Sequence, residues 1–192
     1  MTKQTFAARW GKAGTEVVGI LFAVLLALWL EGWREDVEMQ ERADDFIARI
    51  TLEVTENQSG LKDAVAENNV RIAGLRTARA SGDIAIDQIG QYLVISGGST
   101  SHAAWQSAQM TQAIGHMPIE TVSVLARLYD SQAYYADYMR FIFQRYTELT
   151  TAAQRPADAR EALQMFQQHL SIANSLAEQL LAQYDAFLTT QK

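Results

Sequence analysis

The chain has 192 residues, 48% of them apolar, with 16 Lys and Arg against 22 Asp and Glu and a net charge of −6. It is too apolar for a disordered chain and too acidic for a nucleic-acid binder, because phosphate contacts need a basic surface. The absence of Cys excludes disulfides, thiolate metal sites and thiol nucleophiles.

The first predicted element is a membrane-spanning helix. Residues 17–30 form an unbroken apolar run, and small residues on both sides extend it to 13–33, enough to cross a bilayer core of about 30 Å. Trp10, Trp29 and Trp33 flank the run, as is typical of residues at membrane interfaces. A secretory signal peptide is disfavoured because no small-x-small cleavage pattern follows Leu30. A buried core helix is disfavoured because the run has no amphipathic face.

The charges beside this run predict its orientation. Basic residues are nearly balanced on the two sides, but residues 31–45 are rich in Asp and Glu. Anionic lipids of the inner leaflet would repel such an acidic collar. We therefore expect a short cytoplasmic tail over residues 1–12, a transmembrane helix over 13–33, and an extracytoplasmic helical bundle over 34–192. In a bacterium, this domain would lie in the periplasm and the anchor in the inner membrane.

One face of the predicted span carries Glu16, Gly19, Ala23 and Ala27 at three- and four-residue steps. Small residues let two helices approach closely in lipid, so this stripe is predicted to pack against another membrane helix. That helix would come from another subunit or from a second copy of the chain. Lys12, one turn before Glu16, could pair with its carboxylate. Alternatively, Ala and Gly are simply common in membrane helices and Glu16 reaches the interface.

Beyond Trp33 a seven-residue apolar rhythm predicts one long helix that reaches about Ala80. The repeating residues are Ala43, Ile47, Ile50, Val54, Leu61, Val65, Ile72 and Leu75. The polar stretch 57–60 ends in Gly60 and resembles a helix end, so a turn there is the alternative. We favour the continuous helix because the apolar phase is the same on both sides of that stretch.

Two short helices are predicted next. One covers residues 86–95, and the other runs from a cap at Ser101 to Ile114 and ends at Gly115. They would cap or flank the long helices.

Two long helices follow, each introduced by a proline, which is favoured in the first turn of a helix. The first begins at Pro118 and runs to about Thr151, and the second opens at Pro156. The apolar face of the first helix consists of Val122, Leu125, Tyr129, Ala133, Met139, Ile142, Tyr146 and Leu149. That of the second consists of Leu163, Phe166, Leu170, Ala173, Leu176, Leu180, Tyr184 and Leu188. The predicted fold is all-α, with the transmembrane helix continuing into an elongated antiparallel bundle.

The sequence contains no recognisable motif for catalysis, cofactor binding or metal binding. His102, His116 and His169 are scattered, each without a second ligand at helical spacing. The hydroxyls of residues 99–101 beside His102 are better explained by a helix start than by a catalytic triad. We therefore expect a protein that is not an enzyme and has no cofactor.

One helix is unusually rich in aromatic residues, which go most of the way around it. They are Tyr129, Tyr134, Tyr135, Tyr138, Phe141, Phe143 and Tyr146. They cannot all face one core stripe, so some are expected on the surface as docking residues. The candidates are Tyr134, Tyr135, Tyr138 and Phe141. Burial on three sides within the bundle is the alternative.

The anchor resembles that of an uncharacterised family of bacterial single-pass membrane proteins. Its typical pattern is Glu, six residues, Gly, three residues, Ala-Leu, four residues, and Trp followed by charged residues. The matching positions are Glu16, Ala23, Ala27, Leu28, Trp33, Arg34 and Glu35, with Ala23 in place of the usual Gly. Residues 104–115 and 125–129 look like a second block of the same family. The resemblance covers less than half of the chain and implies the architecture and a bacterial origin, but no catalytic residues.

These features favour a non-catalytic accessory subunit of a larger membrane protein complex, such as a respiratory or photosynthetic one. Its partners would be membrane lipids and other membrane protein subunits. In a pigment complex it would be a scaffold, since the span has no His to ligate chlorophyll magnesium. The alternatives are an extracytoplasmic sensor and an assembly factor. Either would act through a membrane partner, because the inner tail is too short for an output domain.

Overall fold

The computed structural model describes residues 4–81, 90, 93–155 and 157–191, with side chains from Val18 onward except that of Ser81. Four α-helices account for most of these residues: α1 (Gln4–Ser81), α2 (Ala103–Met110), α3 (Ile119–Ala153) and α4 (Ala159–Thr190). A short 3-10 helix covers Ala113–His116. No strand occurs within the described ranges, so the all-α prediction is confirmed.

Helix α1 is continuous over 78 residues, about 120 Å at 1.5 Å per residue. The chain does not turn at Gly60, so the alternative of a hairpin there is wrong. The predicted heptad stripe is buried or half-buried along its whole length, from Ala43 to Leu75. The unbroken apolar phase therefore indicated the helix correctly, and the polar residues 57–60 do not mark a helix end.

The first part of α1 stands apart from the rest of the chain. Every side chain from residue 18 to 38 is exposed, and the large apolar ones among residues 18–30 are 50–67% exposed. In the part of the chain that the structure describes, no helix is long and apolar enough to cross a membrane.

Helix α4 packs antiparallel against both α1 and α3. Gln58 of α1 donates to Asp185 at 2.6 Å, and Arg79 of α1 donates to Gln167 at 2.9 Å. Later residues of α1 therefore contact earlier residues of α4, so the two helices run in opposite directions. On the other side of α4, Gln183 donates to Ser131 of α3 at 3.0 Å. Helices α1 and α3 are therefore parallel to each other, and a buried core joins the three.

The segment between α1 and α2 differs from its prediction. Within the predicted helix 86–95, Gly90 is helical, residues 93–95 are not, and the others lie outside the described residues. Residues 93–102, which we call the strap, run without regular secondary structure along α1. The strap binds through its backbone to side chains of α1 and α3, and these contacts replace the helical hydrogen bonds that the sequence pattern predicts.

The second short helix is shorter than predicted. Helix α2 ends at Met110 because Gln112 adopts a left-handed conformation, with φ of 59°, and the 3-10 helix follows. The N-cap residue is His102 rather than Ser101. The Ser101 hydroxyl accepts from the Ala103 N–H at 3.3 Å, but it donates to Glu53 of α1 at 2.7 Å.

The long helices begin and end close to their predicted positions. Pro118 is the N-cap of α3, and α4 begins at Ala159, whereas Pro156 lies outside the described residues. The assignment of Ala133 to the core face is wrong, because it is exposed and Gln132 is buried instead. A pattern of apolar residues cannot identify Gln132 as a core residue. Its amide is buried because it forms hydrogen bonds to α1, α4 and the strap.

Candidate functional site

The four aromatic residues predicted to dock a partner have different environments. Tyr134 is 65% exposed, Phe141 is 40% exposed and Tyr138 is half-buried. Tyr135 is only 3% exposed, which contradicts its predicted surface position. Its hydroxyl donates to the Gly97 carbonyl of the strap at 2.7 Å, and burial raises its pKa to about 12. Tyr135 therefore attaches the strap to α3.

Tyr138 and Phe141 meet His169 of α4 on the surface between the two helices. The Tyr138 hydroxyl lies 3.0 Å from His169 Nδ1. The Phe141 and His169 rings meet edge to face with their centroids 5.6 Å apart, and Tyr138 lies 6.0 Å from Phe141. We call the surface around these rings the aromatic groove.

Sequence reasoning did not connect His169 with these aromatic residues. Met165, His169 and Ile172 follow one another at i, i+4 and i+7 on α4, outside its main apolar stripe. Tyr134, Tyr138 and Phe141 have the same spacing on α3. A second stripe of this kind on both helices was the available signal, but only the packing of α3 on α4 brings the two stripes together.

Burial and a nearby positive charge favour the neutral form of His169. Partial burial lowers its pKa below the usual 6.5, and the nearby Arg145 guanidinium lowers it further. Arg145 also lies over the Phe141 ring, 5.8 Å from its centroid, and pairs with Glu148 at 2.9 Å. Both effects disfavour the charged imidazolium, and Nδ1 lies within hydrogen-bond distance of the Tyr138 hydroxyl.

The aromatic groove continues into a cavity of about 360 Å³ between α3 and α4. Leu149 and Ala162 are buried at its base, and α1 contributes nothing to its lining. Phe141 and His169 lie at one end, and carboxylates lie at the other. The carboxylates are those of Glu148, Asp158 and Glu161. The cavity is thus aromatic at one end and acidic at the other, with Arg145 between the two ends and an apolar base.

A second polar cluster is buried between α1, α3 and the strap. Glu53 is 8% exposed and has no cationic partner among the described residues. One of its oxygens accepts from the Tyr129 hydroxyl at 2.6 Å. The other accepts from the Ser101 hydroxyl at 2.7 Å and the Ala104 N–H at 2.9 Å. Burial and the hydrogen bond to Glu53 raise the pKa of Tyr129, whose ring stacks on Trp105 at 5.5 Å.

Two asparagines of α1 bind the strap as matched pairs of hydrogen bonds. Asn57 accepts from the Ser101 N–H at 2.7 Å and donates to the Ser101 carbonyl at 2.8 Å. Asn68 does the same with Ser96, at 3.1 Å and 2.7 Å. Because each amide satisfies both backbone groups of one strap residue, the strap needs no neighbouring strand. The polar cluster therefore fixes the fold and offers no open cleft for chemistry.

The remaining predicted site residues lie on the first part of α1. Gly19, Ala23 and Ala27 are exposed, as are Trp29 and Trp33, whereas the side chains of Trp10 and Glu16 lie outside the described residues. No group of His, Asp or Glu in the described ranges is arranged to hold a metal ion.

Comparison with protein families, curated proteins and solved structures finds no match to this chain.

Proposed function

We propose that this chain is a non-catalytic, single-pass membrane protein that acts as an accessory subunit of a larger membrane protein complex. The observation that carries the proposal is the exposed apolar surface of α1 over residues 18–30. Consecutive helical residues differ by about 100° in direction, so this surface covers the whole circumference of the helix. A helix that is apolar all round belongs in a protein core or in lipid.

The alternative of a protein core within this chain finds no support, because none of these side chains packs against the bundle. Moving each large one from water into hydrocarbon is favourable by about 1.5–3 kcal/mol. The proposed span covers residues 13–33 and therefore starts before the first described side chain. Trp10 would lie at one interface and Trp29 and Trp33 at the other.

In the proposed topology, residues 1–12 lie in the cytoplasm and the bundle lies in the periplasm of a bacterium. The exposed carboxylates of residues 31–45 support this direction, because anionic lipids would repel them. The chain has no Cys, so an introduced one is its only thiol. In intact spheroplasts, a membrane-impermeant maleimide should label Ser175→Cys and should not label Gln4→Cys. The reverse labelling would contradict the proposed direction.

The partner is proposed to be another membrane subunit that packs on Gly19, Ala23 and Ala27. The combined change Ala23→Leu and Ala27→Leu should block this close approach. We expect the variant to stay in the membrane fraction but to lose its stoichiometric partners when extracted in mild detergent and analysed by mass spectrometry.

The matched control for this experiment enlarges the opposite face of the same helix, through Leu21→Phe and Leu25→Phe. This control should retain the partners. Wild-type protein that is recovered without any stoichiometric companion would refute the accessory-subunit role. Protein that is recovered from the aqueous fraction without detergent would refute the anchor itself.

The sensor or assembly-factor alternative is favoured by one feature, the aromatic groove on the far side of the bundle from α1. In that case the long helix would carry a signal between the groove-bearing domain and a membrane partner. Recovery of the protein alone from membranes, with no companion, would strengthen this alternative.

A further inference from the structure

The aromatic groove has the geometry of a small-molecule site. Its cavity of about 360 Å³ lies within the range of about 300–1,000 Å³ that is usual for ligand pockets. Half of the lining residues are apolar, and the polar ones are His169, Arg145 and the three carboxylates. Such a lining accommodates a ligand that has an apolar body.

The acidic end specifies the charge of the ligand. Three carboxylates and one guanidinium line the cavity. Arg145 pairs with Glu148 at 2.9 Å, and Arg155, outside the cavity, pairs with Asp158 at 3.5 Å. Glu161 forms no ion pair with any described residue, so its carboxylate is the group that lacks a cation.

The helix ends beside the cavity do not remove this negative charge. Helix α3 ends at Ala153 and α4 begins at Ala159, so the negative end of one helix dipole lies near the positive end of the other. The last turn of α3 contains no basic residue. Glu161 lies in the first turn of α4, so the positive end of that dipole offsets part of its charge, but no cationic side chain among the described residues pairs with it.

The aromatic end suits an apolar or aromatic group. Phe141 and Met165 expose their side chains there, and the imidazole of His169 lies beside them. Met165 and Glu161 are one turn apart on α4, about 6 Å along the helix. A ligand with a ring at one end and a charged group about five bonds away spans this distance and can reach both environments.

We propose that the aromatic groove binds an amphipathic organic amine, with its apolar group against Phe141 and Met165 and its ammonium group at Glu161. The site is independent of the membrane anchor, because no residue of α1 lines it. Failure of this proposal would therefore leave the proposed membrane role unaffected.

The test uses the full chain in nanodiscs and isothermal titration calorimetry, with empty nanodiscs as the blank. The probe is 4-phenylbutylammonium, and the comparison ligand is 4-phenylbutan-1-ol, which has the same ring and chain but no charge. We expect saturable binding of the amine and binding of the alcohol that is at least about threefold weaker, since an exposed ion pair contributes up to about 1 kcal/mol.

Two variants separate the contributions of the two ends. Glu161→Gln should weaken amine binding about threefold and leave alcohol binding unchanged. Phe141→Ala should weaken the binding of both ligands about fivefold, because it removes apolar contact area. Both side chains are exposed, so both variants should keep the helical content of the wild type by circular dichroism.

The matched controls carry the same changes outside the groove: Glu178→Gln on α4 and Phe143→Ala on α3, which are both exposed. They should bind both ligands like the wild type. Equal affinity for the amine and the alcohol would overturn the proposal, and so would the absence of binding above the blank. A loss in Glu178→Gln as large as that in Glu161→Gln would also overturn it.

Discussion

Glu53 brings a carboxylate into the middle of the bundle, where three hydrogen-bond donors hold it and no cation of the described residues pairs with it. Tyr129, Ser101 and Ala104 supply these donors from α3, the strap and α2. A buried acceptor of this kind is favourable only while all its partners are present, because an unsatisfied buried group costs about 1–3 kcal/mol. Glu53 is therefore the residue that most directly joins α1 to the segments packed on it.

Replacing Glu53 by Gln should lower the free energy of unfolding by about 1.5–3 kcal/mol. Both oxygens of Glu53 accept hydrogen bonds, so the amide nitrogen of Gln would place a donor opposite another donor. Glu56→Gln, an exposed site one turn away, is the control and should change stability by less than about 0.5 kcal/mol. Chemical denaturation measures both, and equal effects of the two changes would show that the buried contacts contribute little.

His169 predicts a pH dependence of stability. Its pKa is lowered in the folded protein, so the unfolded chain binds a proton first as the pH falls through about 6.5. The contribution of His169 to the free energy of unfolding is therefore fully present above about pH 6.5 and decreases below it. Between pH 7.5 and 5.5, the melting temperature of the wild type should therefore fall more than that of His169→Gln. A larger fall in the variant would contradict the sign of the effect.

At the scale of elements, the strap explains the polar stretch of α1. Asn57 holds Ser101, and Gly60 lies where the strap passes closest, with the Gly60 carbonyl oxygen 3.1 Å from a Cβ added at Gly98. Gly98 has a φ of +64°, a conformation that other residues rarely adopt. The polar residues 57–60, which resemble a helix end in the sequence, therefore form the surface of α1 on which the strap packs.

The two glycines should respond oppositely to the same change. Gly98→Ala should destabilise the protein by about 1–3 kcal/mol, since the backbone is left-handed and the new methyl meets the backbone of α1. Gly60→Ala should stabilise it by about 0.5–1 kcal/mol, because a methyl there makes ordinary contacts of 3.6 Å and 3.7 Å and Ala favours the helix. Thermal denaturation checks both signs. Stabilisation by Gly98→Ala would refute the proposed close approach.

At the scale of the whole molecule, α1 has two parts with different surroundings. The side chains of residues 18–38 are all exposed, whereas the buried stripe that starts at Ala43 forms one side of the core. The helix is continuous between them, so an unbroken helical backbone joins the first part to Glu53 and Asn57. This continuity is the physical link that a sensor or an assembly factor would need.

A chain that begins at Glu31 should keep the bundle folded, because the deleted side chains that the structure describes make no contact with it. In the same detergent, its melting temperature should lie within about 3 °C of that of the full chain, which corresponds to a change of about 1 kcal/mol. Circular dichroism measures this. A much lower melting temperature would mean that the first part of α1 supports the bundle.

The sequence by itself determined the helices and their buried faces. Apolar residues at a seven-residue spacing must lie on one side of a helix whatever they pack against, so the stripes of α1 and α4 were predictable. The error in the core face of α3 concerns a polar residue. Gln132 is buried where Ala133 was expected, because its amide finds partners on other segments that no local pattern contains.

Tertiary structure alone decided the aromatic groove and the strap. Tyr135 and Tyr138 are three residues apart on one helix, yet Tyr135 is buried on the strap and Tyr138 faces His169. His169 became part of a site only when α4 packed antiparallel on α3. The physical reason is that helix periodicity is a local property, whereas the partners of a polar or aromatic side chain are set by segments distant in the sequence.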